Sequence, residues 1–314
     1  MADQVFISLG PDRAELFRWS EERLVQATTE REGEGGPVGG VHLGRVVKLE
    51  RTLNAAFVEI GFDRPGLLPL KKHDNLSEGD SVAVQVRRDG REEKGVRLAR
   101  FNAKPHLLAD KKAPALLVPP PMLWQQALQA LVPERVDVIH CDRRGDADRI
   151  FAAAPELKKK VEHTPRRNWE LNDSAAKEEV AMGLQEEVPL AGGGHLLFEP
   201  VRTLTAVDVN SGDASGRRGE GGGMAETALS VNLAAAREIP VQLALRNIGG
   251  VIVIDFIDIE HRGKRDQVVE ALREAVIVDP AIDWVGNMSR LGLVELKRRR
   301  GGPTLAEMWS RRDG

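Results

Sequence analysis

Two short segments carry carboxylates where chemistry is feasible. Leu204-Thr205-Ala206-Val207-Asp208-Val209-Asn210-Ser211 and Gly250-Val251-Ile252-Val253-Ile254-Asp255-Phe256-Ile257-Asp258 each read as an apolar strand ending in an aspartate. In an α/β sheet, ligands bind beyond the carboxyl ends of the strands. If the two strands are neighbours, Asp208 and Asp255 lie side by side. Paired carboxylates repel unless a proton or a cation lies between them. With hard oxygen donors and no Cys or His beside them, the matching cation is magnesium, with manganese as a substitute. Magnesium held by one or two carboxylates keeps several waters, and can activate one of them and stabilise charge on a phosphodiester. A plainer reading has isolated aspartates capping helices or binding turn amides, and the pattern alone leaves both open.

Other chemistry is poorly represented. The seven histidines are scattered and Cys141 has no base beside it in sequence, so a covalent nucleophile is not indicated. The loop from Gly212 to Gly223 (GDASGRRGEGGG) matches neither a phosphate-binding GK[ST] loop nor a dinucleotide fingerprint. It reads as an active-site loop after Asp208, its glycines letting backbone approach a phosphate while Arg217 and Arg218 supply charge.

The elements that must position Asp208 and Asp255 follow from punctuation and alternation. Residues 3 to 30 alternate around Val5, Ile7, Leu16, Phe17, Leu24 and Val25, predicting two or three antiparallel strands. Five glycines and a proline between Gly33 and Gly40 suit a domain boundary. From Val41 to Arg100 come five short β-rich runs with turn residues between them, the pattern of a small closed barrel of the OB type. Ala113 to Met122 holds four prolines, too many for a long helix, and reads as a linker or stiff crossover. Beyond it the pattern alternates. The strand VDVIH leads to a helix ending near Lys160, and an acidic helix follows over 173–186, capped by Asp173 or Ser174. Next come HLLFEP and LTAVDVNS, a helix over 225–246, VIVIDFID, a helix over 265–276 and a last apolar run near Leu291. That order predicts an α/β layer with buried strands.

Composition bounds the partners. The chain has 314 residues, 41% of them apolar and 30% charged, enough for about two domains or several small ones. Forty-five Lys and Arg against 48 Asp and Glu give a net charge of -3, so any polyanion site must be a local patch. A single cysteine excludes an internal disulfide, and no apolar run reaches membrane-spanning length; the expected address is the cytoplasm, with no membrane partner.

The run LTAVDVNSG, followed by ETALSVNLAAAREIPVQLALRNIGGVIVIDFIDIEH, resembles the catalytic region of the ribonuclease E/G family of bacterial endoribonucleases. HLGRVVKLERTLNAAFVEIGFDRPGLLPL resembles that family's S1 RNA-binding domain, and the opening thirty residues and the SRLGLVEL run are also similar. The resemblance implies an α/β (α+β multidomain) chain: an RNase H-like domain interrupted by an S1 (OB-fold) barrel and followed by a DNase I-like catalytic domain. The implied boundaries are 1–38 and 133–188 for the RNase H-like parts, 39–101 for S1, 102–132 for a Pro-rich connector, 189–301 for the catalytic domain and 302–314 for a tail. It further implies magnesium-dependent cleavage of single-stranded, AU-rich RNA, leaving a 5′-phosphate. Asp208 and Asp255 would bind the metal, with Asn210 supporting Asp208; Asp258 and Glu226 are weaker candidates, readable as a cap or surface carboxylates. The alternative is an S1-containing RNA-binding protein with little or no turnover.

Departures from the family pattern set further expectations. The CPxCxG segment is not present in this sequence, so no zinc and no zinc-linked dimer are expected. Between Arg100 and Val136 lie only 35 residues, without the Arg-Thr pair of the family's 5′-monophosphate pocket, so sensing of the RNA 5′ end is not expected. The second S1 aromatic is replaced by Leu67, leaving Phe57 and Phe62 as stacking surfaces, although Phe57 fits a core position equally well. Residues 81 to 112 carry nine Lys or Arg against four acids. Arg87, Arg88, Lys94 and Arg97 are the leading phosphate contacts there, against the plainer reading of a solvated strand face. The run Lys297-Arg298-Arg299-Arg300 is either a clamp on RNA or a solvated charge run.

Overall fold

The computed structural model describes residues 2–71, 74–90, 95–212 and 224–312. In chain order the first strands are β1 (Asp3–Leu9), β2 (Ala14–Ser20), β3 (Arg23–Glu30), β4 (Val41–Glu50), β5 (Ala55–Glu59), β6 (Gly66–Pro69), β7 (Ser81–Arg88), β8 (Arg97–Arg100) and β9 (Ala115–Val118). They continue with β10 (Val136–Cys141), β11 (Val161–His163), β12 (Glu187–Pro189), β13 (His195–Pro200), β14 (Leu204–Asn210), β15 (Gly250–Asp255), β16 (Ile282–Val285) and β17 (Leu293–Arg298). The helices are α1 (Pro105–Leu108), α2 (Leu123–Gln129), α3 (Asp146–Ala153), α4 (Glu170–Gly183), α5 (Met224–Leu245), α6 (Arg262–Ala275) and α7 (Leu305–Arg312). The chain divides into two units, Glu30–Gln126 and the combination of Met1–Thr29 with Ala127–Gly314.

The Glu30–Gln126 unit is built on a five-strand barrel. Strands run in the order β5-β6-β8-β7-β4, and pairing of β4 with β5 closes the ring. Alternation along each strand fills it: Val46, Ala56, Val58, Ile60, Leu68, Val82, Val84, Val86, Val96 and Leu98 form one apolar core. The proline-rich stretch is part of this sheet, because β9 pairs with the first half of β4.

In the other unit, the opening strands and the strands that follow the barrel share one five-stranded sheet, ordered β11-β10-β1-β2-β3, with β1 parallel to β10 and antiparallel to β2. A second, six-stranded sheet runs β12-β13-β14-β15-β17-β16. Thr205, Val207 and Val209 of β14 and Ile252 and Ile254 of β15 are buried on one face, where α5 and α6 supply Val231, Ala235, Ile239, Val268 and Leu272. Arg23 on β3 reaches two helices of this unit, gripping Glu238 of α5 through two bonds of 2.9 Å and Glu179 of α4 at 3.3 Å.

Two sequence expectations are corrected. The acidic helix begins at Glu170, and neither Asp173 nor Ser174 caps it: its N-cap is Trp169, without a side-chain cap bond. Asp173 instead accepts from Arg166 at 3.2 and 3.3 Å, an ion pair that outcompetes capping. The basic run at 297–300 is not a solvated tail. Arg298 lies in β17 with 6% exposure and donates to Asp279 at 2.5 Å, to Asn247 at 3.0 Å and to the Ile248 carbonyl at 3.2 Å. Arg299 pairs with Asp283 at 3.1 Å. Period-2 burial on β17 decides this, since Val294, Leu296 and Arg298 face inward while Glu295 and Lys297 face out.

Candidate functional site

β14 and β15 are parallel neighbours, and their register sets Asp208 directly opposite Asp255. Paired strands lie about 4.8 Å apart, so the two carboxylates share one position at the carboxyl ends of the strands. Both project from the face away from α5 and α6, Asp208 half-buried and Asp255 exposed. Asn210, two residues on and therefore on the same face, donates its amide to Asp208 Oδ2 at 2.6 Å. That bond orients the carboxylate and offsets part of its charge.

The segment after Asp255 is fixed from both sides. From α5, the fully buried Asn232 donates to the Ile257 carbonyl at 2.8 Å and accepts the Ile257 N–H at 3.0 Å, a two-point clamp on backbone that has left the sheet. From the other side, the Ser289–Leu293 turn approaches: Phe256 N–H donates to the Gly292 carbonyl at 3.4 Å, and Ser289 Oγ accepts from the amides of Leu291 and Leu293, both at 3.2 Å. Gly292 has φ +84°, and a Cβ there would stand 3.0 Å from the Phe256 carbonyl and 4.0 Å from Asp255 Oδ1, so only glycine closes this turn without strain. His195 on β13 lies opposite Asn210, its Nδ1 3.6 Å from Glu187.

Asn232 is the residue that sequence reasoning missed. Its signal was present as a lone amide in the apolar run Val231-Asn232-Leu233-Ala234, since buried amides are retained only where they are hydrogen-bonded. Asp258 is exposed and pairs with Arg265 at 3.4 Å, and Glu226 is exposed in the first turn of α5. Arg217 and Arg218 lie outside the described residues. Among the described residues, no cluster of three or more His, Cys, Asp or Glu forms a multi-ligand metal cage. Two carboxylates and an amide at the carboxyl ends of the two central strands, on the face away from the helices, are a donor set of hard oxygens with room for water. That set fits magnesium, which binds through one or two carboxylates and keeps most of its waters.

The barrel brings several of the other candidates into one band. Phe57 on β5 lies opposite Leu67 on β6, Leu67 pairs with Arg97 on β8, and Arg97 pairs with Arg88 on β7. On the other side of Phe57 stands Lys48 of β4, which sequence reasoning did not single out. Phe57 is half-buried and lies on the face opposite Ala56 and Val58, outside the barrel core. Lys48, Arg88 and Arg97 are exposed, as is Arg87 next to the band; Lys94 lies outside the described residues. The band sets one aromatic face, with Leu67 beside it, between cations, an arrangement that can hold single-stranded nucleic acid by stacking and phosphate neutralisation. Phe62 is not in it: 39% exposed, it meets the buried His42 edge-on with ring centroids 5.4 Å apart.

Cys141 is buried at the end of β10, and burial, reinforced by Asp146 and Asp142, pushes its thiol above the ordinary range. A thiol so placed is a poor nucleophile. No helix among the described residues is long and apolar enough to cross a membrane.

A family model described as "Ribonuclease E/G family" matches residues 96–301. The chain is 28% identical over 380 aligned residues to ribonuclease E of Haemophilus influenzae, covering 91% of this chain and 40% of that protein. Against ribonuclease G of Escherichia coli it is 32% identical over 182 residues, 57% of this chain and 36% of the relative. A chloroplastic ribonuclease E/G-like protein of Arabidopsis thaliana is 40% identical over 134 residues, 43% of this chain and 13% of the relative. The chain thus spans less than half the length of these relatives. An alignment of 380 residues against a chain of 314 also means that the Haemophilus protein carries residues, inside the matched span, that have no counterpart here.

Proposed function

The chain belongs to the ribonuclease E/G family, and from that premise we propose that it is a magnesium-dependent endoribonuclease acting on single-stranded, AU-rich RNA in RNA processing or decay. The observation that carries this reading is the register of β14 and β15, which sets Asp208 opposite Asp255 with Asn210 bonded to Asp208. Two like charges held side by side at neighbouring strand ends cost stability, and a bound divalent cation removes that cost. On this reading the barrel is the S1 module, the five-stranded sheet is the RNase H-like part and the six-stranded sheet is the DNase I-like catalytic part.

Asp208 and Asp255 would hold the magnesium, Asn210 would fix the Asp208 carboxylate, and the Asn232 clamp on Ile257 would keep Asp255 in register. When bound, the ion supplies a water of lowered pKa and neutralises charge on the phosphate. The bond formed is water oxygen to phosphorus and the bond broken is phosphorus to O3′, leaving a 3′-hydroxyl and a 5′-phosphate. The band of Phe57, Arg97, Arg88 and Lys48 would hold the strand by stacking and counterion release, contributing affinity without taking part in bond cleavage. The 35 residues between Arg100 and Val136 form α1, β9 and α2, and the reading gives them no pocket for a 5′-monophosphate.

The testing experiment incubates the protein with an AU-rich single-stranded oligonucleotide in magnesium and, separately, in excess chelator. Internal cuts with 5′-phosphate ends that vanish on chelation are expected. Cutting that persists in chelator, or 2′,3′-cyclic phosphate ends, would place the chemistry elsewhere.

A further inference from the structure

The open face of the six-stranded sheet continues beyond the two carboxylates. Across it, one row holds Leu197, Asp208, Asp255 and Leu293, the next Ala206, Val253 and Glu295, and the third Leu204, Val251, Lys297 and Trp284. A β-bulge between Ile282 and Trp284 makes the last placement. Ile282 and Val285 both pack into the α5–α6 core, so the extra residue turns Trp284 to the opposite face, where it is 51% exposed. The indole leans over Gly286, since a Cβ there would stand 2.9 Å from the ring. Gly286 N–H bonds to the Glu295 carbonyl, so the lean is toward the Asp255 end of the sheet. Strand spacing and rise put the ring roughly 12 Å from Asp255 on the same face, a gap an extended strand covers in a few nucleotides.

Lys297, exposed and directly opposite Trp284, supplies a cation beside the ring. Charged groups flank it, Lys297 directly opposite, Glu295 on the same face of β17 and Arg299 paired with the neighbouring Asp283, with the exposed Val251 beyond Lys297. Cores of protein–protein interfaces are depleted in charge, whereas aromatic faces set among cations are the means of holding single-stranded nucleic acid. We propose that Trp284 stacks a base of the RNA strand entering the Asp208–Asp255 site, with Lys297 on an adjoining phosphate. This rests on the proposed RNA-cleaving role and adds a base-binding subsite to it.

The test measures binding of a 3′-fluorescein AU-rich oligonucleotide by anisotropy in EDTA, so that no cleavage intervenes, for wild type, Trp284→Ala and Trp284→Phe. Trp284→Ala is expected to weaken binding roughly tenfold, within the range of one base–aromatic stack, and Trp284→Phe to keep most of the affinity. A series of oligonucleotides with one abasic position each should contain one position that weakens wild type but not Trp284→Ala. In magnesium, the alanine variant should raise KM and leave kcat near wild type. Binding within twofold of wild type for Trp284→Ala, together with a flat abasic series, overturns the proposal. So does an alanine variant whose sedimentation changes while RNA binding stays the same, since the face would then belong to a second copy. A wild-type protein that shows the Trp284-dependent abasic position yet never cuts would refute the nuclease reading alone.

Discussion

Replacing Asn232 by alanine removes both partners of the Ile257 backbone at once. The side chain is fully buried, with bonds of 2.8 and 3.0 Å to the carbonyl and N–H of that residue. Each bond is worth about 1 kcal/mol net, and each backbone group left unpaired costs about 1–3 kcal/mol, less where water reaches it. Ile257 is only half-buried, so partial hydration pulls the total toward the lower end. The expected loss is about 2–4 kcal/mol for the unit that carries the six-stranded sheet, a fall of roughly 1 M in urea midpoint at ordinary slopes. Because the clamp grips two residues beyond Asp255, activity per folded molecule should fall as well, with a weaker response to magnesium. Asn232→Asp keeps one acceptor, loses the donor to the Ile257 carbonyl and buries a charge, so it should do no better. An alanine variant that unfolds and cuts like wild type would refute the clamp, and one that only unfolds earlier would reduce Asn232 to a packing role.

Arg298→Met strips the partner from buried Asp279 and should cost about 3–5 kcal/mol, whereas the double change Arg298→Met with Asp279→Leu should recover much of it; paired urea titrations decide. Glu30 is buried at the start of the barrel unit, and burial lifts its carboxyl from the ordinary 4.5 to about 7. The folded state therefore holds the proton more tightly than the unfolded one, so stability falls as pH rises from 4.5 to 7. Glu30→Gln should flatten that slope and raise the barrel's melting temperature at pH 8, while an unchanged slope would contradict the assignment. Arg88→Ala combined with Arg97→Ala should lower the slope of log affinity against log salt by about 1.4 for single-stranded RNA, since each phosphate contact contributes about 0.7. RNAs with 5′-monophosphate and 5′-hydroxyl ends should be cut at similar rates; a tenfold preference, about 1.4 kcal/mol, would show that a sensor exists.

What could be read in the sequence was whatever is local. The apolar runs around Asp208 and Asp255, bounded by turn residues, announced β14 and β15, whereas alternation in NAAFVEI set Phe57 on the face opposite Ala56 and Val58 without telling which face is the core. Register was not readable: that Asp208 faces Asp255, or that Phe57 continues through Leu67 to Arg97 and Arg88, depends on pairings between distant strands. Charge runs misled for the same reason, since KRRR looks uniform until period-2 burial sends Arg298 inward to Asp279. Asp173 could cap a helix or pair with Arg166, and only the fold chose between them. The prolines of 113–122 excluded a long helix but did not exclude β9, an edge strand in which the pairing demands are light.

The central claim is that Asp208 and Asp255 act as one magnesium-holding unit. The most direct measurement compares RNA cleavage by Asp208→Asn, Asp255→Asn and the double variant, each checked for folding by circular dichroism. Groups that share one ion are non-additive, so either single change should abolish nearly all cutting and the double should be no worse. A folded single variant that retains near wild-type, magnesium-dependent activity would contradict the account.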